Sequence, residues 1–161
     1  MHDVRHILVP VDLQQHTERL VEFALRIADK LGAQVTIAHV VEEVEYRSDY
    51  DSASFEEFEA RIRAEAERKM AAVLKQCPRS SPQCTGTLLF GRAADCIVAF
   101  ARDNAVDMII MATHGAKGIE KILLGSVADR VLKRAHCPTL VFNPYRGEQG
   151  YQVTLNPENS R

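Results

Sequence analysis

Residues 106–132 read VDMIIMATHGAKGIEKILLGSVADRVL. The first part, VDMIIMA, is a short apolar run with the character of a buried strand. The last part repeats apolar side chains at helical spacing: Val127, Val131, Leu132 and, just beyond the stretch, Ala135. Between the two lie Gly115, Gly118 and Gly125. The segment therefore reads as strand, glycine-rich connection, helix. Flexible positions directly after a buried strand serve either as a plain turn or as a seat for a ligand that needs bare backbone N–H groups.

The same alternation extends in both directions. Upstream, residues 6–11, HILVPV, form a first strand, with Pro10 near its end where a missing N–H is tolerated best. Leu20, Val21, Ala24, Leu25, Ile27, Ala28 and Leu31 then recur at helical spacing, and Gly32 follows as the C-terminal cap. QVTIAHV, residues 34–40, is a second strand, and the acidic stretch 41–53 reads as a loop. Ser54 with Glu57 makes a capping-box pattern. Phe55, Phe58, Ile62, Ala66, Met70 and Val73 then predict a long amphipathic helix to about residue 76. CPRSSPQ breaks it, and residues 84–90 form a third strand. Gly91 turns the chain into a helix over Ala93–Ala105, with Ile97, Val98 and Ala101 inward. Downstream of the opening stretch, Pro138 stops the fourth helix and TLVFN, residues 139–143, is a fifth strand.

The order β-α-β-α-β-α-β-α-β predicts an α/β fold: a single-domain, open, five-stranded parallel sheet with helices on both faces, Rossmann-like. Near-continuous apolar strands fit a sheet covered on both sides. Residues 1–145 are expected to form this domain, and the polar tail 146–161 a flexible or swapped arm, with YQVTL inside it able to add a strand.

The chain has 161 residues, which suits one domain with a sizeable core. A formal charge of −2 gives no global basic field for nucleic acid or an anionic membrane. No apolar run reaches the ~18–20 residues of a membrane span, and the N-terminal MHDVRHILVPVD does not read as a secretory signal. The expected location is the cytoplasm. Four cysteines are present without C-x-x-C or zinc-finger spacing. Cys96 and Cys137 read as small core hydrophobes. Cys77 and Cys84 flank the PRSSPQ turn, where a disulfide is sterically feasible but disfavoured in a reducing compartment. The sequence assigns no metal ligands.

In an open parallel sheet, ligands bind beyond the carboxyl ends of the strands, where strand order reverses. Those ends carry Pro10-Val11-Asp12, His39-Val40, and Met111-Ala112 followed by Thr113-His114-Gly115. Gly125-Ser126 opens the fourth helix, whose unpaired N–H donors and positive dipole end favour phosphate. Alternatively, Ser126, paired with Asp129, only caps its own helix. Asp12 either accepts a hydrogen bond from a base or ribose, or fastens the turn before the first helix. His114 orders its loop, contacts phosphate, or acts as an acid/base. Lys117 and Lys121 read as solvated, and His39 as a core or interface residue. A P-loop, a G-x-G-x-x-G dinucleotide fingerprint and a G-x-S-x-G elbow are all absent from the sequence.

ILVPVD at the first strand, AHV at the second and THG-x9-GS after the fourth together resemble the universal stress protein family over about residues 4–143. The nucleotide-binding branch of that family carries Gly-x2-Gly-x9-Gly-Ser/Thr. Here the register runs Ala112-x2-Gly115-x9-Gly125-Ser126, with alanine at the first glycine. The resemblance implies an adenine nucleotide alpha hydrolase-like fold and ATP, with or without Mg2+, as ligand. Asp12 and the Val40 backbone would hold adenine, with Pro10 and Val11 nearby. Met111 and Ala112 would lie against ribose, and His114, Gly115, Gly125, Ser126, Val127 and Ala128 would surround the phosphates. It also implies a homodimer through strand five, about Thr139–Asn143, or a tetramer, acting with a regulatory protein partner. That strand is otherwise an exposed apolar edge. The expected function is an ATP-binding, dimeric stress-response module with little or no turnover. The alternatives are a dimeric scaffold without nucleotide and a slow ATPase. AMP, ADP and a cyclic dinucleotide stay open as ligands.

Overall fold

A computed structural model of the chain describes residues 3–42, 51–77, 83–113, 124–144 and 152–154. The elements in chain order are β1 (His6–Pro10), α1 (Thr17–Leu31), β2 (Gln34–Val41), α2 (Ser52–Leu74), β3 (Cys84–Phe90), α3 (Ala93–Asp103), β4 (Met108–Ala112), α4 (Ser126–Arg134), β5 (Thr139–Phe142) and β6 (Gln152–Thr154). They form one sheet of order β3-β2-β1-β4-β5-β6. The first five strands are parallel, as the alternation predicts. The short β6 adds antiparallel to β5, with Thr139 opposite Thr154 and Val141 opposite Gln152. Strand β5 is therefore not left as an open edge along that register.

Period-two alternation divides the strands between two cores. Ile7 and Val9 of β1, Val35 and Ile37 of β2, and Ile110 of β4 face Leu20, Val21, Ala24 and Ala28 of α1, with Met70 and Val73 of α2 alongside. Leu8, Ala38, Ile109 and Met111 point the other way, against Ala94, Ile97 and Ala101 of α3 and Ala128 and Val131 of α4. Helix α1 ends where sequence places it: Gly32 adopts φ +66 and its N–H returns to the last helical carbonyls. Phe23 of α1 stacks on Phe142 with ring centroids 5.2 Å apart.

Helix α2 begins two residues before the Ser54 capping box. Asp51 is its N-cap residue, and Ser54 Oγ turns back to the Asp51 carboxylate. Only its C-terminal half docks, through buried Ala66, Met70 and Val73, while Phe58 is half exposed. Gly86 of β3 makes this docking close, since a Cβ there would lie 2.8 Å from Leu74 Cδ1 and 2.9 Å from Met70 Sδ. Contrary to the compartment argument, Cys77 and Cys84 are disulfide-bonded, joining the end of α2 to the start of β3. Cys137 is buried as expected, and Cys96 is intermediate, its thiol donating to the Phe90 carbonyl.

The N-terminal end of the sheet is fastened by polar groups. The Asp107 carboxylate accepts the N–H groups of Arg5 and His6, each at 2.9 Å. His6 Nδ1 donates to the Asn104 carbonyl, so its Nε2 accepts from the Thr36 hydroxyl at 2.9 Å, and Thr36 in turn meets Thr85. Among the described residues, no helix is long and apolar enough to cross a membrane.

Leu8 is fully buried in the central strand. Leu8→Ala is expected to cost about 2–5 kcal/mol through lost burial and the cavity left behind. Phe58→Ala, on the exposed half of α2, should change stability by no more than about 0.5 kcal/mol. Urea denaturation of both variants checks the pair.

Candidate functional site

At the carboxyl ends of β1, β2 and β4 the sheet opens into a cavity of about 620 Å³. Pro10, Val11, Asp12, Val40, Met111, Ala112, Gly125, Ser126, Val127 and Ala128 all line it. His114 and Gly115 lie outside the described residues, as do Gly118, Lys117 and Lys121. His39 and Thr113, named at the strand ends, line it too, and it also takes in residues that sequence reasoning did not place there, among them His16, Thr17 and Glu42.

The β1–α1 connection forms one wall. Val11 N–H continues the sheet by donating to the Ala38 carbonyl at 2.8 Å. The chain then bends sharply, with Leu13 at φ +59, a left-handed conformation that costs a leucine roughly 1–2 kcal/mol. Asp12 stabilises this bend: its Oδ1 accepts the Gln14 N–H at 2.9 Å and the Thr17 hydroxyl at 3.2 Å. The turn-fastening role of Asp12 is thus present. It engages one carboxylate oxygen, and among the described residues Oδ2 has no protein donor.

His39 faces this wall from β2. Its Nδ1 donates to the Val11 carbonyl at 2.9 Å, which sets the tautomer, since a carbonyl only accepts. It is half-buried and lines the cavity, so it is not a plain core residue. Its sequence position at a strand end was visible, but its direction was not, because both faces of β2 are covered.

The opposite wall is the start of α4. Thr113 N–H donates to the Phe142 carbonyl at 2.9 Å, and Gly125 N–H donates to the Thr113 carbonyl at 2.7 Å. The second bond draws the start of α4 against the end of β4. Gly125 is the N-cap residue, at φ −61 and ψ 154, and no side chain caps the helix. Ser126 is the first helical residue, so it does not cap its own helix in the way its pairing with Asp129 suggested. The first intrahelical bond runs from Asp129 N–H to the Gly125 carbonyl. Among the described residues, nothing accepts the N–H groups of Ser126, Val127 and Ala128, although Ala128 is buried. The start of α4, with these three donors and the positive end of the helix dipole, roughly half an elementary charge, lies at the cavity wall.

Ala112 closes the floor. It pairs with Phe142 as an ordinary strand residue, and its φ is not positive. Alanine in place of glycine therefore carries no backbone strain here. Among the described residues, no group of three or more His, Cys, Asp or Glu side chains is placed to hold a metal ion.

Comparison with known proteins places this architecture. The model of the universal stress protein family matches residues 3–143. Universal stress protein MJ0531 of Methanocaldococcus jannaschii is 33% identical over 137 residues, covering 85% of this chain and 81% of the relative. The solved structure of MJ0577, a protein of the same organism, superposes with a TM-score of 0.76 at 27% identity, over 91% of this chain and 99% of that one. The universal stress protein of Archaeoglobus fulgidus, solved in complex with dAMP, shares the fold with a TM-score of 0.64 at 22% identity, over 87% and 98% of the two chains. With the parallel sheet, its order and the family match all in agreement, the chain belongs to the universal stress protein family.

Proposed function

We propose that the cleft binds ATP and that the protein acts as a nucleotide-occupied, dimeric regulatory module with little or no turnover. The observation that carries this reading is the set of amides at Ser126, Val127 and Ala128, residues that line the cavity and whose N–H groups lack acceptors among the described residues. An anion at a helix start satisfies such donors and complements the dipole. The cavity volume lies within the ~300–1,000 Å³ range usual for small-molecule sites. In this reading Asp12 Oδ2 and the Val40 backbone receive the adenine. Met111 and Ala112 lie under the ribose, with Pro10 and Val11 beside the base. Gly125 and the α4 amides, together with His114 and Gly115, enclose the phosphates, with or without Mg2+. The Archaeoglobus fulgidus protein holds dAMP on this fold, so the fold accommodates an adenine nucleotide. His39, bonded to the Val11 carbonyl, ties β2 to the β1–α1 connection beside the proposed base site.

The dimer would form along β5, about Thr139–Asn143. Within one chain β6 already covers part of that edge. Pairing of two copies therefore exchanges β6, the strand in the 146–161 tail, or displaces it. Domain swapping of this kind is a low-cost route to a dimer.

Three outcomes test the reading. Gly125 does not need glycine for its backbone angles, so Gly125→Val acts by filling the mouth of the phosphate seat. It should weaken ATP binding at least tenfold (about 1.4 kcal/mol) in titration calorimetry, with the circular dichroism spectrum unchanged. Equal affinity would misplace the seat. Asp12→Ala should narrow the preference for ATP over GTP by about tenfold while leaving triphosphate affinity largely in place, since it removes a single charged acceptor. Unchanged selectivity would remove Asp12 from the base contacts. Sedimentation equilibrium should give twice the 18.0 kDa chain mass at micromolar concentration, and a monomer throughout the range would refute the β5 pairing.

A further inference from the structure

Helix α2 is held to the sheet by little. Of its side chains, only Ala66, Met70 and Val73 are buried, all in its second half. Its described ion pairs, Glu57–Arg61, Glu65–Arg68 and Glu65–Lys69, lie within the helix itself and do not dock it. The Glu65 carboxyl, held down to about 2 by the Arg68 guanidinium, belongs to that local pairing.

The docking stripe is Met70, Leu74 and Cys77, at steps of four and three along the chain. It meets Gly86 and Cys84, two residues apart and therefore on one face of β3. The Cys77–Cys84 bond thus completes a contact that Met70 and Leu74 make by close approach to Gly86. The two Cα atoms are 6.3 Å apart, within the span a disulfide bridges. Both cysteines are only partly buried, and β3 is the outer strand of the sheet, so the sulfurs are within reach of small oxidants and reductants. Cys137 differs: it is 5% exposed, and burial pushes its thiol up to about 11, which keeps it protonated and inert.

We propose that Cys77 and Cys84 form a reversible, oxidant-responsive disulfide that fastens the C-terminal end of α2 to β3. The oxidant is a hydroperoxide. One thiolate attacks the peroxide, the O–O bond breaks, and the sulfur becomes a sulfenic acid while the departing oxygen takes up a proton. The second thiolate displaces hydroxide from that sulfur. The S–S bond forms, and the hydroxide leaves as water. Two electrons pass from the thiols to the peroxide, and the two thiol protons end on the released alcohol, or water, and on water. A dithiol reverses the bond by exchange, becoming a disulfide itself. In the reduced state α2 retains its narrow apolar contact and the Arg63 guanidinium over the Phe90 ring of β3, and opens more readily.

The full chain, reduced with excess dithiothreitol, freed of it and then treated with hydrogen peroxide, tests this by alkylation mapping and hydrogen-exchange mass spectrometry. The expected result is loss of alkylation at 77 and 84 and a linked peptide spanning both. Renewed dithiothreitol should restore both thiols in the folded chain. Amides in the second half of α2 should exchange at least about tenfold faster in the reduced state, as for removal of a short-loop crosslink. The Cys77→Ser/Cys84→Ser double variant should exchange fast with or without peroxide. Thiols at 77 and 84 that stay open to alkylation after peroxide would overturn the proposal. A bond that dithiothreitol does not reopen in the native chain would also overturn it, as would equal exchange of α2 in the two states. The alkylation readout on the parent chain does not depend on the double variant folding.

Discussion

The constraint behind this molecule is the placement of β1 at the centre of a parallel sheet. It pairs with β2 on one side and with β4 on the other. The chain first runs outward from β1 through β2 to β3, then returns and runs outward again through β4 to β5. Right-handed crossovers put helices on one face when the chain travels in one direction and on the opposite face when it reverses. Helices α1 and α2 accordingly share one core with the sheet, and α3 and α4 share the other. At the carboxyl ends of β1 and β4 the crossovers lead to helices on opposite faces of the sheet, α1 on one and α4 on the other, and no helix among the described residues fills the gap between the two strand ends. The cavity lies there as a consequence of handedness and order, before any particular side chain is considered.

The two ends of the sheet then treat their polar groups in opposite ways. At the amino ends, Asp107 satisfies two successive N–H groups, and His6, Thr36 and Thr85 form a hydrogen-bonded row across three strands. Buried polar groups left unpaired there would cost stability. At the carboxyl ends, the connection after β1 is tied down by Asp12 and His39 while the α4 amides keep no protein acceptor among the described residues. Holding the walls rigid while leaving donors open is what preorganised recognition of an anion requires. The left-handed Leu13 fits the same pattern, because strained backbone persists only where surrounding bonds fix it.

Much of this was legible in the sequence. Runs such as ILV in β1 and MIIMA in β4 announce doubly covered strands, and the i, i+3, i+4 spacing of α1 with Gly32 gives both the helix and its end. The candidate residues on β1, β2 and β4 that line the cavity follow from one topological rule applied to strand ends, Gly125-Ser126 from the chemistry of a helix start, and Val127 and Ala128 only from the family resemblance. Three features were not legible, each for its own reason. The start of α2 offers Asp51, Ser52 and Ser54 as comparable N-caps, and local chemistry alone does not choose among them. Pairing of β6 with β5 is non-local, and three residues of tail carry no signal for a partner. The Cys77–Cys84 bond depends on α2 and β3 being brought together through Gly86, whereas the sequence showed only that the two cysteines flank a turn, and the compartment argument weighed against their pairing.

The alanine at position 112 shows how a motif and its physics separate. Glycine is required where φ is positive or where a Cβ would collide. Ala112 meets neither condition on the protein side: it is the last ladder residue of β4, opposite Phe142, in ordinary extended backbone. Its partial exposure toward the cavity means that any effect of the methyl group falls on the ligand and not on the fold. At Gly125, too, the backbone is extended, and any residue could adopt it. Gly125 is therefore not explained by the turn it permits, and a side chain at that position would extend from the start of α4 beside the residues that line the cavity.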